Sequence, residues 1–330
     1  MSESSSALVV VLERNRRVGQ RIARVAAAAA GLGDVAHVER PDNVGHLIGP
    51  KTRLIACGES DVEQISEEIC PDFPQLRLAT WTADDPARVI GLAQKVPGLS
   101  NILGWPSFQS MPRPWEIGLC VRRICVPHEP MPGLVHLLRW GSTEHAFTPS
   151  TTIDRDVVVS EVARLVLKLG ATARARDRLA EIAHEMLMNA MYDAPVDEHG
   201  QPRYAHDRNW DLVLGKNERP TFRFVTDGML LGLDVIDRFG GLTREHVIDG
   251  VNRGLTALDS DEMDKIVDTS HGGAGLGMAR LYRASAGLIC DVIAGRATRV
   301  ISFHELDISP REMRGLPGSL HYFASPAGQS

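Results

Sequence analysis

Glu185 and Asn189 stand four residues apart in Glu181–Asp193 (EIAHEMLMNAMYD), a run of helical composition. That spacing stacks a carboxylate and an amide on one face of a helix. A carboxylate so placed orients a water or hydroxyl and accepts its proton, and an amide oxygen suits a hard cation such as Mg2+. Asp237 closes an apolar run in Leu233–Leu242 (LDVIDRFGGL), where a buried acceptor would take an exocyclic amine such as that of adenine. The glycine cluster His271–Met278 (HGGAGLGM) leads into a helix-like stretch, Ala279–Ala286. Glycine permits close backbone approach, and the free N–H groups of a helix start attract phosphate. Each feature alone has a plainer reading: a surface pair on an amphipathic helix, a turn Asp, a glycine-rich turn. The glycines fit neither the Walker A pattern, since no GK[ST] closes them, nor the dinucleotide fingerprint, which follows the first strand of a βαβ unit. Taken in this order, the four features suggest an ATP–Mg site.

The elements that must hold these residues are legible around them. A helix over Ala173–Met191 would bury Leu179, Ile182, Met186, Leu187 and Ala190 and carry the Glu–Asn pair beside that face. A hairpin region at Leu137–Pro149 and a helix near Arg155–Leu169 precede it. The polar stretch Pro195–Arg219 reads as an insertion, followed by strands at Thr221–Thr226 and Met229–Ile236 with Gly228 between them. A lid over about residues 243–271 comes before the glycine cluster, and strands at Leu288–Ile293 and Thr298–Glu305 end the pattern.

The ordered set resembles the GHKL ATPase superfamily, which includes gyrase, mismatch-repair ATPases, histidine kinases and anti-sigma serine kinases. Its N-box is matched by HEMLMNAMYD, its first glycine box by Asp237-Arg-Phe-Gly-Gly with Gly241 as the second glycine, and its second glycine box by Gly273-Ala-Gly275-Leu-Gly277. The resemblance covers roughly Leu137–Glu305 and implies a Bergerat fold, an α/β sandwich with a mixed sheet. It also implies roles. Asp237 would bind adenine with support from Thr298, Asn189 would ligate Mg2+, Gly273, Gly275, Leu276 and Gly277 would cradle phosphates, and Glu185 would be the base. Arg253 or Lys265 of the lid would reach the γ-phosphate. Two residues depart from the pattern: Phe239 replaces the first glycine of the first box, and Asp193 stands where such helices often carry His or Lys near phosphate.

The first third alternates strand and helix. Strands are expected at Leu8–Leu12, Val35–Val38, Arg53–Cys57, Leu76–Trp81 and Asn101–Trp105. Helices are expected at Arg14–Leu32, Val44–Ile48, Asp61–Ile69, Asp85–Val96 and Pro114–Cys125. Five such units imply a doubly wound parallel sheet covered on both faces. The order resembles a response-regulator receiver, with its chemistry lost: Glu13 is a single acid after the first strand, Cys57 or Gly58 stands at the phosphoacceptor position, and no Lys follows the fifth strand, although Thr82 keeps a hydroxyl. The expected organisation is therefore an α/β two-domain chain: a pseudo-receiver over 1–126, a Pro-rich linker over 127–136, and the ATP-binding domain over 137–330.

Composition narrows the class. A chain of 330 residues with 43% hydrophobic and 24% charged residues reads as globular, and two domains are the better expectation. A net charge of −6 argues against a general nucleic-acid or anionic-membrane binder. Five scattered cysteines without a CxxC pair suggest reduced thiols and a cytoplasmic setting. The alanine-rich Val25–Leu32 is too short to span a bilayer and reads as a buried helix face. The expected activity is that of an ATP-binding signalling protein, a Mg-dependent serine kinase or slow ATPase acting on a regulatory partner. Two alternatives stand beside it: a non-catalytic adaptor built from both folds, and a histidine-kinase relative lacking its own phosphoacceptor hairpin. By analogy with receivers, two copies would pair through the first domain.

Overall fold

Short apolar runs form the strands of the first third, and Val9–Leu12, Leu54–Gly58 and Leu99–Gly104 are buried over most of their length, while Val35–Val38 is only half-buried. The computed structural model describes residues 6–83, 86–106, 109–205, 211–259, 276–306 and 316–326. The chain divides into two units. One takes in the chain up to Met131 together with a C-terminal stretch ending at Phe323, and the other begins at Pro132.

In the first unit, β1 (Val9–Leu12), β2 (Val35–Val38), β3 (Leu54–Gly58), β4 (Arg77–Thr82) and β5 (Leu99–Gly104) form a parallel sheet in the order β2-β1-β3-β4-β5. This is a doubly wound arrangement. Helices α1 (Arg16–Ala29), α2 (Val62–Glu68) and α3 (Pro86–Lys95) supply crossovers, and α4 (Pro114–Cys125) follows β5. Asn15 caps α1 by accepting from the Arg17 and Val18 amides. The helix expected at Val44–Ile48 is instead two short 3-10 turns, Pro41–Asn43 and Gly45–Leu47, because Pro41, Gly45 and Pro50 deny it a full turn. The expected buried face at Val25–Leu32 also fails. Ala26 is buried, but α1 stops at Ala29, Gly31 and Leu32 take positive φ, and Leu32 is 86% exposed.

Beyond the carboxyl ends of β1 and β3, Arg14 forks onto the buried Asp61 at 2.6 and 2.7 Å. Cys57 is fully buried and burial pushes its thiol pKa up, so it offers no nucleophile.

The expected second domain ran to residue 330, but a further strand, β11 (Ser319–Ser325), pairs antiparallel with β5. Ser319 accepts from the Gly104 amide and donates to buried Glu116, which also pairs with Arg113. His321 Nδ1 lies 3.3 Å from both Cys120 Sγ and Asn101 Oδ1.

The second unit holds β6 (Thr143–Phe147), β7 (Thr221–Thr226), β8 (Leu230–Asp237), β9 (Gly287–Ile293) and β10 (Ala297–Glu305). Its pairings β9–β10, β10–β8, β8–β7 and β7–β6 are antiparallel, so the mixing of directions expected within this sheet is not seen among them. The helices are α5 (Thr152–Lys168), α6 (Ala173–Met188), α7 (Arg244–Asp259) and α8 (Leu276–Ala284). A capping box between Thr151 and Asp154 starts α5, and Thr172 caps α6. Register places Asp237 beside Thr298 and Leu233 beside Ser302 on the face that meets α8. There Ser302 Oγ lies 2.6 Å from Ser285 Oγ and 2.7 Å from His304 Nε2. On the opposite face Arg299 forks onto the fully buried Asp234 at 2.9 and 2.8 Å and also reaches the Pro132 carbonyl. Breaking such a buried pair costs about 3–5 kcal/mol.

Candidate functional site

Asp237 ends β8 and is buried, with 6% of the residue exposed. Oδ1 accepts from the Phe239 amide at 2.8 Å and the Gly240 amide at 3.4 Å, an Asx turn that fixes the side chain. Thr298, its cross-strand neighbour on β10, is buried and hydrogen-bonds the same carboxylate. Burial pushes the Asp237 pKa up, and these donors oppose the rise. The expected pairing of Asp237 with Thr298 is therefore present as a geometry.

The glycine that this turn requires is Gly240, next to Gly241, the glycine expected at the nucleotide. Gly240 has φ +64, and a Cβ there would lie 2.2 Å from the Ile293 carbonyl oxygen and 2.7 Å from the Arg296 amide nitrogen. Gly241 is exposed, with nothing near its missing Cβ. The Gly295 amide also donates to the Gly240 carbonyl at 3.2 Å, so the β9–β10 turn is seated directly on the Asp237 turn. Gly240→Ala is expected to cost about 2–4 kcal/mol through strained φ and collision, while Gly241→Ala stays within about 0.5 kcal/mol. Urea unfolding of the two variants checks the contrast, and equal losses would show that the Asp237 turn does not depend on Gly240.

Helix α6 buries Leu179, Ile182, Met186 and Leu187 as expected and leaves Glu185 half-buried. It ends at Met188, short of the expected Met191, and continues as a π-helical turn, Asn189–Asp193, in which the Asn189 carbonyl accepts from the Ala194 amide at 2.9 Å. Such turns often occur at functional sites. This one packs against β8 and buries Ala190, Met191 and Tyr192 in succession, and the Tyr192 hydroxyl lies 3.1 Å from Thr152 Oγ1. Asn189 is half-buried at the start of the turn.

Gly277, in the first turn of α8, meets Glu185. A Cβ at Gly277 would lie 1.9 Å from Glu185 Oε1, so the helix start and the carboxylate approach as closely as a missing side chain allows. Leu276 opens α8, while Gly273, Gly275 and Lys265 lie outside the described residues, as does the expected lid beyond Asp259. The described start of that lid is α7, on which Arg253 is exposed.

The structure therefore joins Asp237 to Thr298 and Glu185 to Gly277, and sets the turn that carries Asn189 against β8. Sequence reasoning missed Gly240, because the residues that press on it, Ile293 and Arg296, are remote in the chain. It also missed the π turn, whose signal was three adjacent apolar residues at Ala190–Tyr192 where an amphipathic α-helix would present a polar one.

No family model matches the chain, and no curated protein matches it. Among solved structures, a chain of the SiaB–SiaC complex from Pseudomonas aeruginosa is similar at 12% identity and a TM-score of 0.33, covering 48% of this chain and 88% of that one. At that level the likeness identifies neither fold family nor activity. No described helix is long and apolar enough to cross a membrane.

Proposed function

We propose that the second unit, as a Bergerat-type domain, binds ATP with Mg2+ and acts in signalling on a regulatory protein partner, as a serine kinase or slow ATPase. The observation that supports this most is Asp237: a buried carboxylate aimed by two amides and a threonine, with no cation among its described partners. A carboxylate so buried is costly unless it serves a donor, and the amino group of adenine is such a donor. The donor set also fits the rest of the ligand. Asn189 offers a neutral oxygen for Mg2+, and the start of α8 offers backbone N–H groups to phosphate.

When bound, ATP supplies the phosphoryl group, and Mg2+ balances its charge. The protein's own part is positional. Asp237 holds the base, Asn189 the cation, and Glu185, fixed against Gly277, accepts the proton of an incoming serine or water hydroxyl. The first unit, read as a pseudo-receiver, serves contacts and not phosphoryl chemistry. A non-catalytic adaptor is the second reading. It is favoured by the Arg14–Asp61 fork, which lies beyond the carboxyl ends of β1 and β3, where a receiver would hold a cation.

Calorimetry with ATP, with and without Mg2+, tests the proposal. Asn189→Ala is expected to remove the Mg2+-dependent part of binding. Glu185→Ala is expected to keep binding and lower turnover by about 100-fold or more. Wild-type protein that binds no nucleotide would end the kinase reading and leave the adaptor.

A further inference from the structure

The outward face of α5 is apolar where a lone helix should be polar. Ile153 is 74% exposed, Val157 61% and Leu167 46%, and Ser160 and Arg164 lie exposed along the same stripe. Phe147 of β6 lines a shallow groove of about 610 Å³ with Ile153, Asp156, Val157, Ser160 and Arg164, and Leu167 lies further along the helix. Strand β6 ends the sheet of this unit, pairing with β7 on one side.

Two pairs of the stripe are placed symmetrically about Ser160, one apolar and one of opposite charge. Ile153 and Leu167 stand seven residues to either side of it, and Asp156 and Arg164 stand four to either side. In two antiparallel copies of α5 crossing at Ser160, Ile153 of each meets Leu167 of the other and Asp156 meets Arg164. The small Ser160 meets itself, which permits close approach. A two-fold interface requires such self-complementarity, whereas an unrelated partner would impose no symmetry on the helix. Within one chain Asp156 pairs with Arg155 and Arg164 with Glu161. Arg155 is buried, but Asp156, Glu161 and Arg164 are accessible, so a second copy would reach the Asp156 and Arg164 side chains from solvent.

We infer that this face of α5 is a homodimer surface, with the two helices antiparallel about Ser160. It lies on the second unit, not the first, and does not depend on the nucleotide reading.

A charge-swap cycle on the full chain tests this by sedimentation. Wild type is expected at twice the 36.1 kDa chain mass. Asp156→Arg or Arg164→Asp alone sets like charges face to face, and each should weaken the dimer by about 10-fold or more. The double variant should recover to within about threefold of wild type, since the pair is restored with its sign reversed. Independently, Ser160→Cys under mild oxidation should give a cross-linked dimer that wild type does not. A monomeric wild type, single variants that leave the dimer intact, a double variant that stays apart, or no cross-link through position 160 would each overturn the assignment.

Discussion

Between pH 6.5 and 4.5 the protein is expected to lose about 5 kcal/mol of stability, roughly half from each unit. The cause is one buried histidine in each: His321 in the first, His304 in the second. Burial holds both pKa values down to about 3, with Arg113 adding to the effect at His321 and Arg178 at His304. In the unfolded chain each titrates near 6.5. Between those values the unfolded state binds more protons, so stability falls as pH falls, by about 1.4 kcal/mol per pH unit for each histidine. The window separates this effect from the carboxylates. Asp154 and Asp227 have lowered pKa values and release their stabilisation only at more acid pH. Asp237, with its raised pKa, acts in the opposite sense and slightly offsets the loss. Urea unfolding followed at about half-unit steps of pH should show the slope, and His304→Gln or His321→Gln should each remove about half of it. A slope unchanged in both variants would show that other groups set the acid limit.

Replacing Asp237 with Asn should weaken ATP binding by about 100-fold while leaving the fold intact. The asymmetry follows from the turn. The Phe239 and Gly240 amides both donate to one side-chain oxygen, and Asn can supply that oxygen. Its NH2 then points where the carboxylate's other oxygen stood, and in the proposed site a donor would face the adenine amino group. Thermal stability therefore barely moves, while affinity collapses. Unchanged ATP affinity in Asp237→Asn, beside a wild type that binds well, would place the nucleotide elsewhere in the chain.

Much of the fold was legible because its strands are short apolar runs closed by turn residues. Val35–Val38, Thr221–Thr226 and the helix Pro114–Cys125 have the expected bounds. The strand Ser319–Ser325 was not legible, for a physical reason. Ser319 and His321 are fully buried because Glu116, Cys120 and Asn101 wait for them, so the polar positions face inward and the usual alternation misleads. At the candidate site, Asp237 and Glu185 could be named from residue type and spacing. Gly240 could not be preferred over Gly241, because the β9–β10 turn that presses on it lies more than fifty residues further along the chain. Local spacing carries no record of such a contact.

The π turn changes how distances along this helix should be counted. Up to Met188, four residues bring a side chain back to the same face, which is why Glu185 and Asn189 share one. From Asn189 the return takes five, and the carbonyl of Asn189 meets Ala194, not Asp193. A motif alignment that carries α-helical spacing through this point assigns Asp193 the place of a phosphate-facing His or Lys, and so finds an acid where a base is wanted. Counted in the frame the backbone adopts, residues past Asn189 are rotated from where α-helical spacing would put them, and Asp193 is the first that such an alignment misplaces.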